Sequence, residues 1–508
     1  MMELNQIYNI DALEGLKQLD ENSIDAIISD PPYQLSSITK RFGKEDSAEA
    51  QYGTDGAFQR VSSGFMGKSW DVLPSVDILK ECLRVLKSGA WAMWLMTPRQ
   101  DSQLEFLLRL RQAGFNISYG SLEWLYLSGF PKAADLSLLA DKKACRENLT
   151  QKLGREPTKE EFKEAWSKWR EVTGHDKKRS PEHNDYGIYN IEWDKRDNPN
   201  AQEAQALSGS YAGMQLKPAR ELIIVSQKPI AGKTYLDQAL LHLKEPEHNQ
   251  LGGTWLDDAR LPYKHGIESG WAKTGADGSN GYQNSNTFKI HPISAEEIQE
   301  RNNKGRFPAN IIVSDNALDI GINKKSTSAY KKADNGGSGY TLKFVHSKNE
   351  IRGYEDSGDL SRYFDLDFWF ENKLKELPEE QQKIFPFLYV PKASKSERNK
   401  GLESMPEQAI DFDSQTRTNK ETADKFGAER KAKMQNIHAT VKPIKLMSYL
   451  ITLTTRENDI VLDPFIGSGT TAISSILLKR RFICFEREKE YYDIATERIK
   501  HYQKQHLL

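Results

Sequence analysis

The sequence predicts an α/β protein whose main sheet is assembled from both ends of the chain. Three observations predict it. Short apolar runs of β character alternate with helical periods over 1–130 and again from 443 onward. Each end carries a turn motif directly behind such a run: Asp30-Pro31-Pro32-Tyr33 follows Ala26-Ile27-Ile28, and Asp463-Pro464-Phe465-Ile466-Gly467-Ser468-Gly469-Thr470 follows Ile460-Val461-Leu462. Between the two ends lie roughly 300 residues with no fixed repeat period.

The elements follow in order. Residues 6–10 read as a short strand, and Leu13, Leu16 and Leu19 at threefold spacing mark the helix behind it. A buried strand over 25–29 runs into the Pro-Pro turn. Residues 34–70, rich in Gly, Ser, Lys and Gln, form a long loop. A helix over 76–86 stops at Lys87-Ser88-Gly89, a strand covers 90–95, a helix 104–110 and a strand 121–127. Residues 135–172 are charged and helical, with Pro157-Thr158-Lys159-Glu160-Glu161 shaped as a helix start; their charges nearly cancel, which suits a solvated helical hairpin. A β-run returns at 221–226. Residues 230–430 are polar and irregular, with short β-runs at 310–314 and 387–390. The closing half reads as a helix from 443, a strand 459–462, a helix 470–478, a strand 482–485 and a terminal helix to about residue 500. A parallel sheet with helical crossovers is the natural assembly for such a series.

Composition narrows the function classes. The 508 residues are enough for two to four domains, and 38% hydrophobic content with 10 Trp, 20 Tyr and 20 Phe excludes a disordered chain. The 71 basic and 72 acidic residues leave a net charge of −1, so nucleic-acid binding would need a local basic surface. The three cysteines, Cys82, Cys145 and Cys484, are far apart, give neither disulfide framework nor zinc site, and suit a reducing cytoplasm. No signal peptide or apolar stretch of membrane-spanning length is visible.

Chemistry concentrates in the two turns. Glycines between a strand and a helix let backbone approach a ligand, and Glu486 at the end of the next strand is placed to accept hydrogen bonds from ribose hydroxyls. With neither G-x-G-x-x-G nor a Walker lysine, this is a nucleoside site without a phosphate cradle, which points to S-adenosylmethionine rather than NAD. In Asp30-Pro31-Pro32-Tyr33 the prolines lack N–H donors and leave rigid carbonyl acceptors. A carboxylate plus a carbonyl offers two acceptors to the two hydrogens of an exocyclic amine, and Tyr33 offers a face on which a base stacks. Holding both hydrogens favours the pyramidal, nucleophilic nitrogen over the flat ground state.

This pair of motifs resembles the amino-methylating, S-adenosylmethionine-dependent DNA methyltransferases. With the catalytic motif first and the cofactor motif last, the chain is similar to their permuted β-class, of phage or prophage type. The resemblance implies a Rossmann-like methyltransferase sheet with a helical insertion and a large inserted target-recognition region. Residues 1–134 would be the catalytic half, 135–210 the helical insertion, 211–230 a returning sheet strand, 231–430 the target-recognition region and 431–508 the cofactor-binding half. Asn436 to Pro443, with His438, Thr440 and Lys442, resembles the segment that touches the cofactor's methionine moiety; His438 also admits a purely structural reading. Asp11 matches the acid that reads the cofactor's adenine amine. Residues 64–71, 305–310 and 392–398 resemble segments of phage-type members. In the usual methyltransferase sheet the three cofactor strands lie beside the catalytic strand. Cutting the chain between the second and third puts the strand with Asp11 first and the strand with Glu486 last.

The resemblance thus implies a site-specific, cytoplasmic, bacterial or phage-encoded adenine-N6 methyltransferase acting on double-stranded DNA. It would flip the base out and transfer the methyl group directly, releasing S-adenosylhomocysteine with no metal. Asp30, Pro31, Pro32 and Tyr33 are the catalytic expectation; Asp11, His438, Thr440, Lys442, Asp463, Pro464, Phe465, Gly467, Ser468, Gly469, Thr470 and Glu486 are the cofactor expectation. A homodimer and a cognate restriction enzyme stay open as partners. Cytosine-N4 methylation shares the same amine logic, and Asp in the first catalytic position leans to adenine by family habit. RNA or protein-amide methylation is the alternative from another class. No Pro-Cys pair supplies the thiolate that cytosine-C5 chemistry needs. Lys40, Arg41, Lys44, Arg60, Lys68 and Trp70 are placed to close over a flipped nucleotide, and Trp271, Tyr282 and Phe307 to meet DNA.

Overall fold

The computed structural model describes residues 2–33, 72–126, 134–171, 174–178, 191–195, 198–212, 220–261, 305–314, 318, 324–325, 357–358, 361, 364–382, 393–410, 432–438 and 440–506. One sheet of eight strands organises the first of two compact units, 1–128 with 219–411 and 431–508. In chain order its strands are β1 Gln6–Tyr8, β2 Ile24–Ser29, β3 Leu86–Met96, β4 Leu122–Leu125, β5 Arg220–Gln227, β6 Ile311–Val313, β7 Ile460–Asp463 and β8 Arg481–Phe485. They lie side by side as β1-β8-β7-β2-β3-β5-β4-β6. The first strand of the chain therefore pairs with the last, Ile7 opposite Cys484, and the two motif-bearing strands are neighbours, Leu462 opposite Ile27. A cut between the second and third cofactor strands yields this order.

The sheet is mixed rather than parallel, which corrects the all-parallel expectation. The strand β5 runs antiparallel to β3 and to β4. An alternating βα series implies parallel crossovers, but β5 follows β4 after a long excursion and runs back beside it, Arg220 opposite Leu125. The Lys87-Ser88-Gly89 stop is also not a break: strand β3 begins at Leu86, and its pairing with β2 jumps between Ile24↔Leu86 and Ala26↔Trp91. Gly89, at φ +76°, absorbs that irregularity, with the Gln238 side chain in the space a Cβ would need. The expected strand at 387–390 lies outside the described residues.

Alternation along the strands sorts the core into two layers. Ile28, Met93, Val461, Phe482 and Cys484 face one layer, closed by helices Leu366–Lys375, Ile444–Thr454 and Thr470–Leu477. Ile27, Ala92, Trp94, Leu462, Ile483 and Phe485 face the other, under helices Ala12–Leu16, Val76–Val85 and Gln100–Ala113. Each fully buried large side chain contributes about 1.5–3 kcal/mol. Trp94 is wholly buried yet satisfied, its indole N–H donating to Ser226 Oγ at 2.9 Å. Helix Ile444–Thr454 is buried along its whole length, including the polar Lys445, Ser448, Thr452 and Thr454, and Lys445 pairs with Asp367.

The second unit comprises 129–218 and 412–430. Its helices Leu136–Leu153 and Lys159–Ser167 match the charged helical stretch, and Thr158 with Glu161 makes the reciprocal capping box. Asp141, buried at its centre, accepts from Arg170 Nε at 2.6 Å and from the Ala201 amide at 2.7 Å. Burial works against its charge, but these donors prevail and lower its pKa. Among the described residues no helix is long and apolar enough to cross a membrane.

One buried carboxylate ties three strands at the edge of the sheet away from the motifs. Asp25 Oδ1 meets Lys87 Nζ at 2.7 Å and Gln250 Nε2 at 3.1 Å, while Oδ2 accepts the Ile460 amide at 2.8 Å. Removing one partner of such a network leaves a buried charge uncompensated. Asp25→Ala should therefore lower unfolding stability by about 3–5 kcal/mol. Denaturant titration checks this, and a loss no larger than that of a surface substitution would contradict it.

Candidate active site

The carboxyl ends of β2 and β7 open into a cavity of about 340 Å³. Every predicted site residue except Gly469 lines it. Gly469 stands behind the turn at φ +93°, where an added Cβ would press on Ala495 at 3.3 Å; there a glycine allows close helix packing, not ligand approach.

The two motifs are joined directly. Ser29, the last residue of β2, donates its hydroxyl to Asp463 Oδ1 at 2.6 Å across 434 residues of sequence. The same oxygen accepts the Phe465 amide at 3.0 Å, and Oδ2 accepts the Thr471 hydroxyl at 2.6 Å. Asp463 thus pins the turn rather than offering itself to a ligand. Burial pushes its carboxyl up to about 6, against the pull of those hydroxyls. At the turn's crest Gly467 adopts φ +56°, and its amide donates to Glu486 Oε2 at 3.0 Å. A side chain at Gly467 would meet His438 Nε2 at 2.7 Å. Glu486 accepts the Glu488 amide through its other oxygen at 2.8 Å; burial pushes it up to about 7. Asp11 holds the start of helix Ala12–Leu16, its Oδ1 accepting the Leu13 amide at 2.9 Å.

Around Asp30 lies a compact ionic cluster. Lys442 Nζ is 2.9 Å from Asp30 Oδ2 and 3.2 Å from Glu221 Oε2, and it donates to the Tyr33 hydroxyl at 2.9 Å. Tyr33 donates its hydroxyl to Asp30 Oδ1, and the Tyr126 hydroxyl reaches Glu221 Oε1 at 3.3 Å. Burial raises the Asp30 pKa and the Lys442 charge opposes it. Burial works against the lysine's own charge, yet the carboxylates of Asp30 and Glu221 prevail and raise its pKa. The cofactor expectation for Lys442 therefore meets a different geometry, with its ammonium on the Asp30 carboxylate.

Sequence reasoning missed the supports. Arg398 donates to the His438 carbonyl, the Asn436 amide donates to Asn399 Oδ1 at 3.0 Å, and Glu397 Oε1 accepts the Ile444 amide at 2.7 Å. Arg498, fully buried, donates to the Ser468 carbonyl and thereby holds the glycine turn from behind. The resemblance of 392–398 to phage-type segments was the one available signal for Glu397 and Arg398. His438 is kept neutral: burial, then Arg398, lowers its pKa to about 3. Its Nδ1 accepts the Thr440 amide at 3.3 Å, and its ring meets Tyr491 edge-on at 4.6 Å. It has both a structural role and a place on the cavity wall. Of the residues expected to face DNA, Phe307 is 59% exposed with Arg260 packed 5.1 Å from its ring centre. Lys40, Arg41, Lys44, Arg60, Lys68, Trp70, Trp271 and Tyr282 lie outside the described residues.

A family model described as DNA methylase, N6_N4_Mtase, matches residues 24–497. The chain belongs to this DNA methylase family. Within it, the chain is 48% identical over 63 residues to the type II methyltransferase M2.DpnII of Streptococcus pneumoniae, covering 12% of this chain and 24% of that protein. It is 44% identical over 66 residues to M2.MboI of Moraxella bovis, covering 13% and 24%. The matches thus span about a quarter of these relatives' length. The solved PvuII DNA methyltransferase (cytosine-N4-specific) aligns over 100% of this chain and 93% of its own at 11% identity, with a TM-score of 0.35.

The raised Glu486 carboxyl has a consequence for stability. A group that binds its proton more tightly when folded withdraws stability as pH rises from its ordinary value to its folded one. Stability should fall between about pH 4.5 and about pH 7 in the free protein, and Glu486→Gln should flatten that fall. Denaturation midpoints measured across this range for both proteins check it; parallel curves would contradict it.

Proposed function

We propose that this chain is a DNA adenine-N6 methyltransferase that uses S-adenosylmethionine. One observation carries the reading: an Asp-Pro-Pro-Tyr turn and a strand-glycine turn-helix with an acid on the next strand end on one cavity. Membership of the DNA methylase family supports it.

The residues present fit that cofactor. Glu486 offers a half-buried carboxylate to hydroxyl donors, Phe465, Ile466 and Phe485 give apolar wall for a purine, and the turn around Gly467 brings backbone to the cavity surface. Asp11 and the 438–442 segment complete the cavity wall. When bound, S-adenosylmethionine supplies a methyl group on a cationic sulfur, and the electron pair of the broken carbon–sulfur bond stays with S-adenosylhomocysteine.

The chain's own residues act on the amine. Asp30 accepts one of its hydrogens and the rigid Pro-Pro carbonyls stand ready for the other, which draws the nitrogen lone pair out of the ring. Tyr33, fixed by its hydrogen bond to Asp30, presents its ring to the flipped base. As the nitrogen–carbon bond forms, the amine becomes acidic and its proton leaves along the hydrogen bond to Asp30. Cysteine takes no part: Cys82, Cys145 and Cys484 are all buried.

Incubation with labelled cofactor and genomic DNA, then digestion to nucleosides, tests the reading. N6-methyladenine is the expected product. N4-methylcytosine would transfer the same chemistry to the other base, and label in RNA or protein alone would overturn the proposal. Asp30→Ala should cut transfer by about 100-fold or more while leaving the cofactor dissociation constant within about threefold. Transfer at the unmodified rate would contradict the role of Asp30.

A further inference from the structure

Lys442 puts an amine where the reaction needs an amine. Its Nζ lies 2.9 Å from Asp30 Oδ2 and from the Tyr33 hydroxyl, and 5.2 Å from the Tyr33 ring centre. These are the groups that the function proposed above assigns to the exocyclic amine of the target base, and the inference rests on that reading. The lysine is 8% exposed, so its ammonium is committed to these partners and not to solvent. It also has a second anion in reach, Glu221 on strand β5, at 3.2 Å.

The second carboxylate matters because of what burial does to charge. An ammonium bound to Asp30 alone could leave it only by becoming an unpaired buried cation, at a cost of several kcal/mol. With Glu221 beside it, Lys442 releases Asp30 and keeps an ionic partner. Tyr126 Oη at Glu221 Oε1 holds that partner in place. Glu221, Asp30 and Lys442 together carry one net negative charge, the sign that suits a cationic methyl donor.

We propose that Lys442 is a resident stand-in for the target amine: it occupies Asp30 between turnovers and yields it to the entering amine while staying paired with Glu221. Lys442 and Glu221 are then positioning residues of the transfer. Lys442 also opposes the upward push of burial on the Asp30 carboxyl until the base arrives. Among the described residues, the charged and titratable groups around Asp30 are Lys442, Glu221 and Tyr33, with Tyr126 beyond Glu221 and Asp463 across the turn. Of these only Lys442 is a cation, so its loss should push the Asp30 carboxyl upward.

The test compares Lys442→Met, Glu221→Gln and the double variant with the unmodified protein, using kcat and kcat/KM against pH on DNA and cofactor affinity by calorimetry. In Lys442→Met the acid limb of kcat/KM, which reports the free enzyme, should move to higher pH by about 1–3 units, the effect an opposite charge has on a carboxylate at this range. Cofactor affinity should stay within about threefold, which also reports that the variant is folded. In Glu221→Gln the lysine has only Asp30, so kcat should fall about tenfold or more with no upward move of the acid limb. The double variant should recover part of that loss above the shifted limb, a coupling that a merely structural pair would not show. Should Lys442→Met fail to fold, the double variant, which removes one charge of each sign, carries the same comparison of limbs. An unmoved acid limb, or a double variant no better than Glu221→Gln, overturns the proposal while leaving the methyltransferase reading intact. Absence of transfer by the unmodified protein overturns both.

Discussion

The hydrogen bond from Ser29 to Asp463 is the contact on which the rest of this molecule depends. It joins the last residue of one strand to the last residue of its neighbour; Ser29 directly precedes one motif and Asp463 opens the other. Because Asp463 also holds the Phe465 amide and the Thr471 hydroxyl, the glycine turn takes its position from the strand that leads into Asp30. Asp25 makes a similar tie at the other end of the same two strands, through the Ile460 amide. Two sites of contact, one at each end, leave β2 and β7 little freedom to slip, and a one-residue slip would turn every motif side chain to the wrong face.

From that fixed frame the electrostatics follow. Asp30, Asp463 and Glu486 are carboxyls that burial drives upward, and each is held by hydrogen bonds instead of being released to water. One cation, Lys442, stands among the described groups at Asp30. Among the described residues, the carboxylates Asp11, Asp30, Asp463, Glu486 and Glu488 line this cavity. It is complementary to a ligand with hydroxyl groups and a cationic centre, and to an amine with hydrogens to give. The neutral His438 stands on the cavity wall, while the half-buried Arg398 and the buried Arg498 brace the backbone carbonyls of His438 and Ser468.

Much of this was legible in the sequence because it is local. A strand running into Asp30-Pro31-Pro32-Tyr33, and another running into Asp463 to Thr470, declare their chemistry within eight residues each, since proline and glycine act on the backbone they occupy. The circular order of the strands was legible from the order of the motifs. What escaped was non-local. Glu221 is one acid at the head of an apolar run, and only the antiparallel return of β5 brings it to Lys442. Arg498 looks like any charge on an amphipathic terminal helix, yet it is fully buried against Ser468. Gly469 and Gly467 look alike in sequence, but one serves helix packing and the other the cavity, because they point to opposite sides of the turn.

The most direct test of this picture is a crystal structure of the protein with S-adenosylmethionine bound. The cofactor should lie in the one cavity between the ends of β2 and β7, with its ribose hydroxyls on Glu486 and its methyl group turned toward Asp30. A cofactor bound elsewhere, or one whose methyl group faces away from Asp30, would contradict an active site built jointly from the two ends of the chain.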